Sequence, residues 1–241
     1  TRSLYGTDVD RDGDLDVIEG NFSASNRIRL NDGNGNFSDS GQTLGSASTF
    51  DIAAFDADAD GDTDFLVANY YSSQDLLWFN DGAGNFSDSG QSFGTTSTRR
   101  IRAADFDGDG DSDFIQGNDD GVNYVYTNDG AGVFTSTVGQ IDSGSADETW
   151  GFDIGDFNGD GNVDFSAAFC DYSAVIPTVT PCTVAVWNNQ TKHTNTTPVA
   201  PAISAESNVE TATTVVNVQL DWAAGSDAET TDADLLTYDV R

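Results

Sequence analysis

The chain has 241 residues, of which 37% are hydrophobic and 11% aromatic, so it is long enough and apolar enough to bury a core. Its formal net charge is −32, because only 9 Lys and Arg stand against 41 Asp and Glu, and this composition excludes the basic surface that nucleic-acid binding requires. No apolar run approaches the roughly 20 residues of a membrane-spanning helix, so we expect no membrane insertion.

The acidic residues are almost all aspartates, 36 of them against 5 glutamates, and they are spread along the chain. The short Asp side chain suits tight turns and metal-binding loops, whereas a surface that is acidic only for solubility would use both residue types. The composition therefore indicates that the carboxylates serve in tight turns or metal-binding loops.

An internal repeat organises most of the chain. Four Asp-rich loops follow one another at intervals of 48, 49 and 51 residues, which is the period of a β-propeller blade. They begin at Asp8, Asp56, Asp105 and Asp156. Around each loop, short stretches with period-two patterning end at Gly, Asn or Asp, and this pattern predicts four strands per copy. In the second copy the predicted strands are residues 50–55, 64–69, 75–80 and 84–91.

We therefore predict an all-β fold of β-propeller blades, each made of four antiparallel strands, with almost no helix. The four blades are expected to be part of a larger propeller, since the chain begins directly with an innermost strand. A segment rich in Thr, Asn and Pro at 191–204 is predicted to be a linker. The predicted blades are residues 1–49, 50–98, 99–148 and 149–190.

The Asp-rich loops carry the clearest chemical signal. Within each loop, oxygen-bearing side chains occupy positions 1, 3, 5, 7 and 9, and Gly occupies position 6. Ca²⁺ takes six to eight oxygen ligands, and the Gly permits the sharp turn that points them inward, with position 7 contributing its backbone carbonyl. We predict about four bound Ca²⁺ ions, because carboxylates packed this closely repel one another unless a cation lies among them. The candidate ligands are Asp8, Asp10, Asp12, Asp14, Asp16, Asp56, Asp58, Asp60, Asp62, Asp64, Asp105, Asp107, Asp109, Asp111, Asp113, Asp156, Asn158, Asp160, Asn162 and Asp164.

Two alternatives exist for these loops. The carboxylates could be solvated turn residues that bind no metal, although their recurrence in four copies argues against this interpretation. The first loop also fits an EF-hand, because Glu19 lies at its position 12, but Val67, Gln116 and Ala167 occupy that position in the other copies. Since the flanking segments have the pattern of strands, we prefer a propeller loop.

A glycine-containing turn, Asn-Asp-Gly-x-Gly-x-Phe, follows the third predicted strand in the first three copies. Its glycines suit the positive φ angles of a hairpin. The alternative is a second metal site, with Asp32, Asn34 and Asn36 as ligands. We expect the phenylalanines that end the turns to fill the gaps between blades, and they are Phe37, Phe86 and Phe134.

The fourth copy departs from the pattern. It continues from Trp187 through Asn189 without the Gly-x-Phe element, so we expect this blade to lack its outer strand. It also contains the two cysteines, Cys170 and Cys182, which bracket an eleven-residue insertion. A disulfide closing this loop is the simplest interpretation and indicates an oxidising compartment, whereas two free thiols are the alternative.

The nine-residue loop, the blade period and the Asn-Asp-Gly-x-Gly-x-Phe turn together resemble FG-GAP or VCBS-type repeats, in which a calcium loop joins the first two strands of a blade as in integrin α-subunit propellers. The resemblance covers residues 1–190. It implies a propeller of about seven blades and a secreted or cell-surface protein of bacterial type. It also implies a role in adhesion, recognition or support of an enzyme.

The pattern changes at residues 205–241, where long alternation replaces the repeat. This segment resembles the opening strands of a fibronectin type III-like domain. Leu220 and Trp222 match the core Trp strand of that family, and Tyr238 matches the Tyr of its next strand. We therefore predict a partial β-sandwich, and the alternative is an edge strand of the propeller.

Blade geometry predicts a ligand face. The loops that join the second and third strands of each blade lie on the face opposite the calcium loops, and their exposed aromatic rings can contact sugars or peptides. We predict a calcium-stabilised extracellular binding, adhesion or scaffold module with a glycan or protein ligand on this face. The candidate ligand residues are Phe22, Tyr70, Tyr71, Asp119, Asp120 and Tyr172.

The alternative function is a catalytic or non-catalytic part of a secreted carbohydrate-active enzyme, either a polysaccharide lyase or a hydrolase. The candidate acids for such chemistry are Glu19, Glu148 and the pair Asp119 and Asp120. No Ser or Cys of the repeats has an evident His partner, so nucleophilic catalysis lacks its components. We therefore expect that this chain is not an enzyme.

Overall fold

The computed structural model describes residues 1–71, 73–94, 96–119, 122–137, 148–170, 183–189 and 217–220. These residues form sixteen strands in four sheets of four strands each, and they contain no helix. Within this part of the chain, therefore, no helix is long and apolar enough to cross a membrane. The predicted all-β architecture of four-stranded blades is confirmed.

The strands follow the repeat. The first sheet contains β1 (Ser3–Thr7), β2 (Asp16–Gly20), β3 (Arg27–Asn31) and β4 (Phe37–Asp39). The second contains β5 (Ser48–Phe55), β6 (Asp64–Tyr70), β7 (Asp75–Asn80) and β8 (Phe86–Phe93). The third contains β9 (Thr98–Ala104), β10 (Asp113–Asn118), β11 (Tyr124–Asn128) and β12 (Phe134–Thr137). The fourth contains β13 (Glu148–Gly155), β14 (Asp164–Cys170), β15 (Thr183–Asn189) and β16 (Asn217–Leu220).

The first three sheets are antiparallel meanders in which each strand pairs with the next one along the chain. The first strands of neighbouring sheets lie against one another, β1 against β5, β5 against β9 and β9 against β13. The first strand of each sheet is therefore the innermost strand of a blade, and the blades follow one another in sequence order.

Hydrophobic clusters fill the space between consecutive sheets. Ile18 and Ile28 of the first sheet meet Phe65 of the second, and the same type of contact recurs between the second and third sheets and between the third and fourth. Phe86 and Phe134 lie in these gaps, as predicted. Phe37 is 51% exposed, contrary to the expectation, because no described sheet covers that face of the first blade.

The fourth sheet differs from the other three. β13, β14 and β15 are antiparallel, but the fourth strand, β16, is parallel to β15 and places Val218 opposite Trp187. The expectation that this blade lacks an outer strand is therefore wrong. Residues 217–220 occupy the edge of this sheet, while the rest of the predicted sandwich segment and the disulfide between Cys170 and Cys182 lie outside the described residues.

A buried polar network joins consecutive blades at the end of the strands away from the Asp-rich loops. Between the first two blades, Asn26 Nδ2 donates to Thr49 Oγ1 at 3.0 Å, and the Thr49 hydroxyl donates to Asn69 Oδ1 at 2.9 Å. Between the third and fourth blades, Asn123 Nδ2 donates to Thr149 Oγ1 at 3.0 Å. All of these side chains are buried where water cannot reach them, so the hydrogen bonds between them satisfy their polar groups.

Between the second and third blades, Asp75 stands where its neighbours have Asn26 and Asn123. Its Oδ1 accepts from the backbone N–H of Asn69 at 2.6 Å, and its side chain also hydrogen-bonds Thr98. Gln116 Nε2 donates to its Oδ2 at 2.6 Å, and the hydrogen bonds from Asn69, Thr98 and Gln116 all favour the charged form. Burial outweighs them and raises the pKa of Asp75 from 3.8 to about 8, so this carboxyl is mostly neutral at pH 7.

Replacing Asp75 by Asn tests this neutral state. Between pH 4 and 8, approximately, the folded state keeps a proton that the unfolded state releases, so the free energy of unfolding of the natural protein falls as the pH rises through this window. We expect Asp75→Asn to be about 1–3 kcal/mol more stable than the natural protein near pH 9 and nearly equal to it near pH 5, as measured by denaturant unfolding.

The matched control is Asp81→Asn in the same blade. Asp81 is exposed, and hydrogen bonds from the Asn85 side chain and from backbone N–H groups lower the pKa of its carboxyl. This variant should therefore lose stability near neutral pH rather than gain it. A gain for Asp75→Asn that is the same near pH 5 and pH 9 would contradict a neutral Asp75.

Candidate metal centres

Each Asp-rich loop folds back onto its first aspartate. The backbone N–H of the Gly at position 6 donates to the carboxylate at position 1, at 3.0 Å in the first, second and fourth loops and 3.1 Å in the third. In all four loops this Gly has a positive φ, from 87° to 100°, where a side chain would be strained. The carboxylate at position 5 accepts the N–H of position 7 in the same way in every loop.

This folding brings the carboxylates at positions 1, 3 and 9 together. In three loops, one oxygen from each of these side chains lies within 4.8 Å of the others. In the fourth loop position 3 is Asn158, whose amide Nδ2 lies 3.0 Å from Asp160 Oδ2. The three described acidic clusters are Asp8, Asp10 and Asp16, then Asp56, Asp58 and Asp64, then Asp105, Asp107 and Asp113.

The clusters fit a cation. Asp8 Oδ1 and Asp58 Oδ1 are buried and have no hydrogen-bond donor. A buried carboxylate oxygen without a donor is costly, and a metal ion removes that cost. Carboxylate oxygens are hard ligands, so the site suits a hard cation rather than a metal that prefers sulfur or nitrogen.

The pKa values of the loop carboxyls are raised by burial and by their mutual repulsion. Burial, reinforced by the charges of Asp60 and Asp56, raises the pKa of Asp58. Burial and the neighbouring Asp109 raise the pKa of Asp107 to about 6, and burial raises the pKa of Asp113 to about 7. A divalent cation would favour the ionised form of each of these groups.

The aspartate at position 9 also has a structural role. Asp64 is fully buried, and its two oxygens accept the backbone N–H groups of Ala57 and Asn80, both at 2.8 Å. The same pair of bonds occurs in the other three blades. This carboxylate therefore joins the start of the loop to the turn that follows the third strand.

The Asn that opens each turn links the loops of adjacent blades. Asn80 Nδ2 donates to the carbonyl oxygen of Val9 at 2.8 Å, and Asn128 Nδ2 donates to that of Ala57 at 2.8 Å. Asn189 Nδ2 donates likewise to Phe106 O at 2.6 Å. Each acceptor lies at position 2 of the preceding loop, so the loops form a hydrogen-bonded series.

In the turn that follows the third strand, the candidate metal ligand Asp32 is already engaged in hydrogen bonds. Asp32 accepts from the Asn36 side chain at 2.9 Å and from the backbone N–H groups of Asn34 and Asn36, and these bonds lower the pKa of its carboxyl. This geometry favours the hairpin interpretation over a second metal site. In the third blade, a Cβ on Gly130 would lie 2.4 Å from Asp111 Oδ2, so the turn approaches the loop too closely for a side chain.

The EF-hand alternative does not match the structure. The first loop lies between β1 and β2, and Glu19, which an EF-hand would use as a ligand, pairs with Arg29 at 3.0 Å. Arg11 at position 4 of the same loop pairs instead with Asp62 of the second loop at 2.5 Å. The carboxylate of Asp62 is therefore already neutralised, which agrees with a ligand role for its backbone carbonyl only.

Part of the predicted ligand face is assembled at the other end of the strands. Tyr71 lies 5.0 Å from Tyr70 and 5.7 Å from Phe22, measured between ring centroids. Asp119 accepts hydrogen bonds from the Tyr70 hydroxyl and from Arg99 Nε. Asp120 and Tyr172 lie outside the described residues.

Sequence reasoning missed the contacts between blades. The asparagines at the end of the third strands are interpreted from sequence only as hairpin residues, although an Asn at this place in all four copies is a signal of a shared role. Gln42 and Gln91 were not singled out. Each donates to a glycine carbonyl of the next blade, Gln42 Nε2 to Gly84 O at 2.7 Å and Gln91 Nε2 to Gly132 O at 2.5 Å.

Replacing Asn128 by Ala tests the link between loops. The variant leaves the carbonyl oxygens of Ala57 and Ser112 without their side-chain donor, so we expect a loss of about 1–3 kcal/mol in denaturant unfolding. The control is Asn31→Ala, because Asn31 donates only to Leu15 O within its own blade and should cost less. Equal losses for the two variants would show that the contact between blades contributes nothing.

Comparison with known proteins places the chain in a family. A search of the curated proteins found no match. Two crystal structures of BBS1N in complex with ARL6DN, soaked with lead and with mercury, are similar at 10% and 11% identity, with TM-scores of 0.49 and 0.47. They cover 70% of this chain, which spans only 50% and 51% of theirs.

The profile of the FG-GAP-like repeat matches residues 8–67, 56–116 and 105–166, more than half of the chain. The chain therefore belongs to the family of FG-GAP-like repeat proteins.

Proposed function

We propose that this chain is a calcium-stabilised binding or scaffold module of an extracellular protein. The observation that carries the proposal is the convergence of three carboxylates in each of three loops, with unpaired buried oxygens on Asp8 and Asp58. Membership of the FG-GAP-like repeat family supports a binding or scaffold role.

Calcium is the cation that suits these loops best. The side chains at positions 1, 3, 5 and 9, the carbonyl at position 7 and water together supply the six to eight oxygens that Ca²⁺ takes. Mg²⁺ demands a smaller octahedral shell and keeps several waters, so it makes poorer use of clustered carboxylates. Sites of this kind bind calcium as weakly as roughly 10⁻⁴ to 10⁻³ M in extracellular modules, which extracellular calcium still fills.

A binding role also agrees with the state of the acids considered for catalysis. Glu19 is held by Arg29, and Asp119 is held by Arg99 and the Tyr70 hydroxyl. Carboxylates engaged in this way serve as structural anchors more readily than as proton donors. The side chain of Glu148 and the whole of Asp120 lie outside the described residues.

Thermal unfolding with and without calcium tests the proposal. We expect melting temperature to rise in millimolar Ca²⁺ relative to excess EGTA, because each filled site adds about 1–2 kcal/mol to the free energy of unfolding. Calorimetric titration should count about four ions, with the fourth loop weakest because Asn158 and Asn162 replace carboxylates. An unchanged melting temperature and no heat of binding would refute the calcium assignment.

Asp58→Asn should change stability in opposite directions with and without calcium. In EGTA the variant should melt higher, because it removes a half-buried charge that Asp60 and Asp56 repel and whose buried Oδ1 has no donor. In calcium it should melt lower and bind one ion fewer, because it loses a charged ligand. Asp81→Asn in the turn of the same blade is the control and should leave the number of bound ions unchanged. The same direction of change under both conditions would contradict a metal role for Asp58.

A further inference from the structure

One residue position recurs at the start of the innermost strand of every blade and carries only Arg or an aromatic residue. In blades two to four this residue lies in an irregularity of the pairing with the second strand, where the register shifts by one residue. Such a β-bulge redirects a side chain out of the regular alternation. In the first blade, one repeat of 48 residues upstream of Phe50, the corresponding residue is Arg2. The four residues are Arg2, Phe50, Arg99 and Trp150.

These four side chains and Tyr70 form a continuous stack across the blades. The Arg2 guanidinium lies 3.7 Å from the centroid of the Phe50 ring, and Phe50 stacks on Tyr70 with ring centroids 4.2 Å apart. The Arg99 guanidinium lies 5.6 Å from the Tyr70 ring and 4.3 Å from the Trp150 ring. Three of the four contacts in this stack are thus cation–π contacts, and the fourth is the stacking of Phe50 on Tyr70.

A buried carboxylate fixes the middle of this stack. Asp119 is 5% exposed and accepts from both Arg99 Nε and the Tyr70 hydroxyl. Because both partners are held by one anchored group, the stack is rigid before any ligand arrives. A rigid surface binds with little loss of side-chain entropy.

Three rings of this region face solvent, Trp150 at 43% exposure, Tyr71 at 66% and Phe22 at 40%. Phe22 and Tyr71 contact each other and pack on Phe50 and Tyr70, respectively, so they extend the stack sideways. We call the stack and these two rings the arginine–aromatic strip. It lies at the end of the strands opposite the Asp-rich loops, because β2, β6 and β10 run from the loops towards it.

Backbone strain marks the most exposed ring. Tyr71 has a φ of 59°, in the left-handed region that bulky residues rarely adopt, and the corresponding Ser23 of the first blade has a φ of 57°. A bulky residue kept in a strained conformation on the surface indicates a functional constraint, since Asn or Gly would fit this turn at lower cost.

We propose that the arginine–aromatic strip binds a glycan chain, with the faces of its pyranose rings stacked on Tyr71, Phe22 and Trp150. This proposal deepens the binding role proposed above and rests on it. The apolar C–H face of a sugar ring packs against the negative face of an aromatic ring, and the exposed guanidinium of Arg2 can donate to sugar oxygens.

The size and repetition of the strip favour a glycan over a protein. At about 200 Å² of surface for each ring, the three exposed rings present about 300 Å², well below the roughly 800 Å² that each partner contributes to a standard protein interface. The strip extends across all four blades, and its exposed rings belong to the first, second and fourth of them, so a ligand made of repeating rings can contact several blades at once.

The first test is calorimetric titration of the calcium-loaded chain with five hexasaccharides. Three are neutral (cellohexaose, xylohexaose and mannohexaose), and two are acidic (from hyaluronan and from chondroitin sulfate). We expect at least one to bind with a Kd below about 1 mM, and its monosaccharides to bind at least about tenfold more weakly. Comparison of the two groups shows whether the exposed Arg2 selects acidic sugars.

Variants then locate the site. Trp150→Ala and Tyr71→Asn should each weaken binding about tenfold or more, and Tyr71→Asn should leave the melting temperature unchanged or higher because Asn accepts the left-handed conformation. The matched control is Phe37→Ala, which removes a ring that is 51% exposed in β4, outside both the strip and the Asp-rich loops. It should leave affinity unchanged.

The outcomes separate this proposal from the calcium proposal. A chain that shows the calcium-dependent rise in melting temperature but binds none of the five glycans overturns the glycan assignment and makes a protein the ligand of the strip. Glycan binding that survives Trp150→Ala and Tyr71→Asn also overturns it. Glycan binding lost in these variants, in a chain whose melting temperature ignores calcium, supports the strip and overturns only the calcium proposal.

Discussion

In every blade, a fully buried aspartate at position 9 of the Asp-rich loop holds the start of the loop to the Asn at the end of the third strand through two backbone hydrogen bonds. Burying a carboxylate is costly unless its charge is compensated, and two N–H donors compensate it only in part. The loop adds further carboxylates at positions 1 and 3 around the same point. Each blade therefore gathers several carboxylates at one point, where their oxygens offer ligands for a cation.

Hydrogen bonds also connect the Asp-rich loops of neighbouring blades. The turn held by the buried aspartate opens with an Asn, and this Asn donates to the loop of the preceding blade. The Asp-rich loops of adjacent blades are therefore joined directly by this side chain. Hydrophobic clusters fill the same interfaces, and the buried Thr and Asn network closes them at the opposite end. Each blade depends on its neighbours, as expected of a repeat architecture.

The two ends of the strands have different chemistry because the repeat varies at one end and not at the other. All four Asp-rich loops keep the same spacing and the same backbone bonds. At the opposite end the bulge position alternates between Arg and aromatic residues, and its contacts differ in every blade. The repeated geometry of the Asp-rich loops supports the fold. The residues at the opposite end of the strands can therefore differ from blade to blade and form a specific surface. Asp75, neutral in place of an Asn, shows that even the buried network tolerates such variation.

The sequence by itself determined the blade, its four strands and the residues of each Asp-rich loop, because strand alternation and loop ligands depend on spacings within a few residues. It did not predict that Asn128 reaches Ala57, that Asp75 takes the place of an Asn, or that Asn217–Leu220 pairs with the fourth blade. It identified Phe22 and Tyr71 but not the members of the adjoining stack Arg2, Phe50 and Trp150. These contacts join residues far apart in the chain, and only the packing of one blade on the next decides which of them meet.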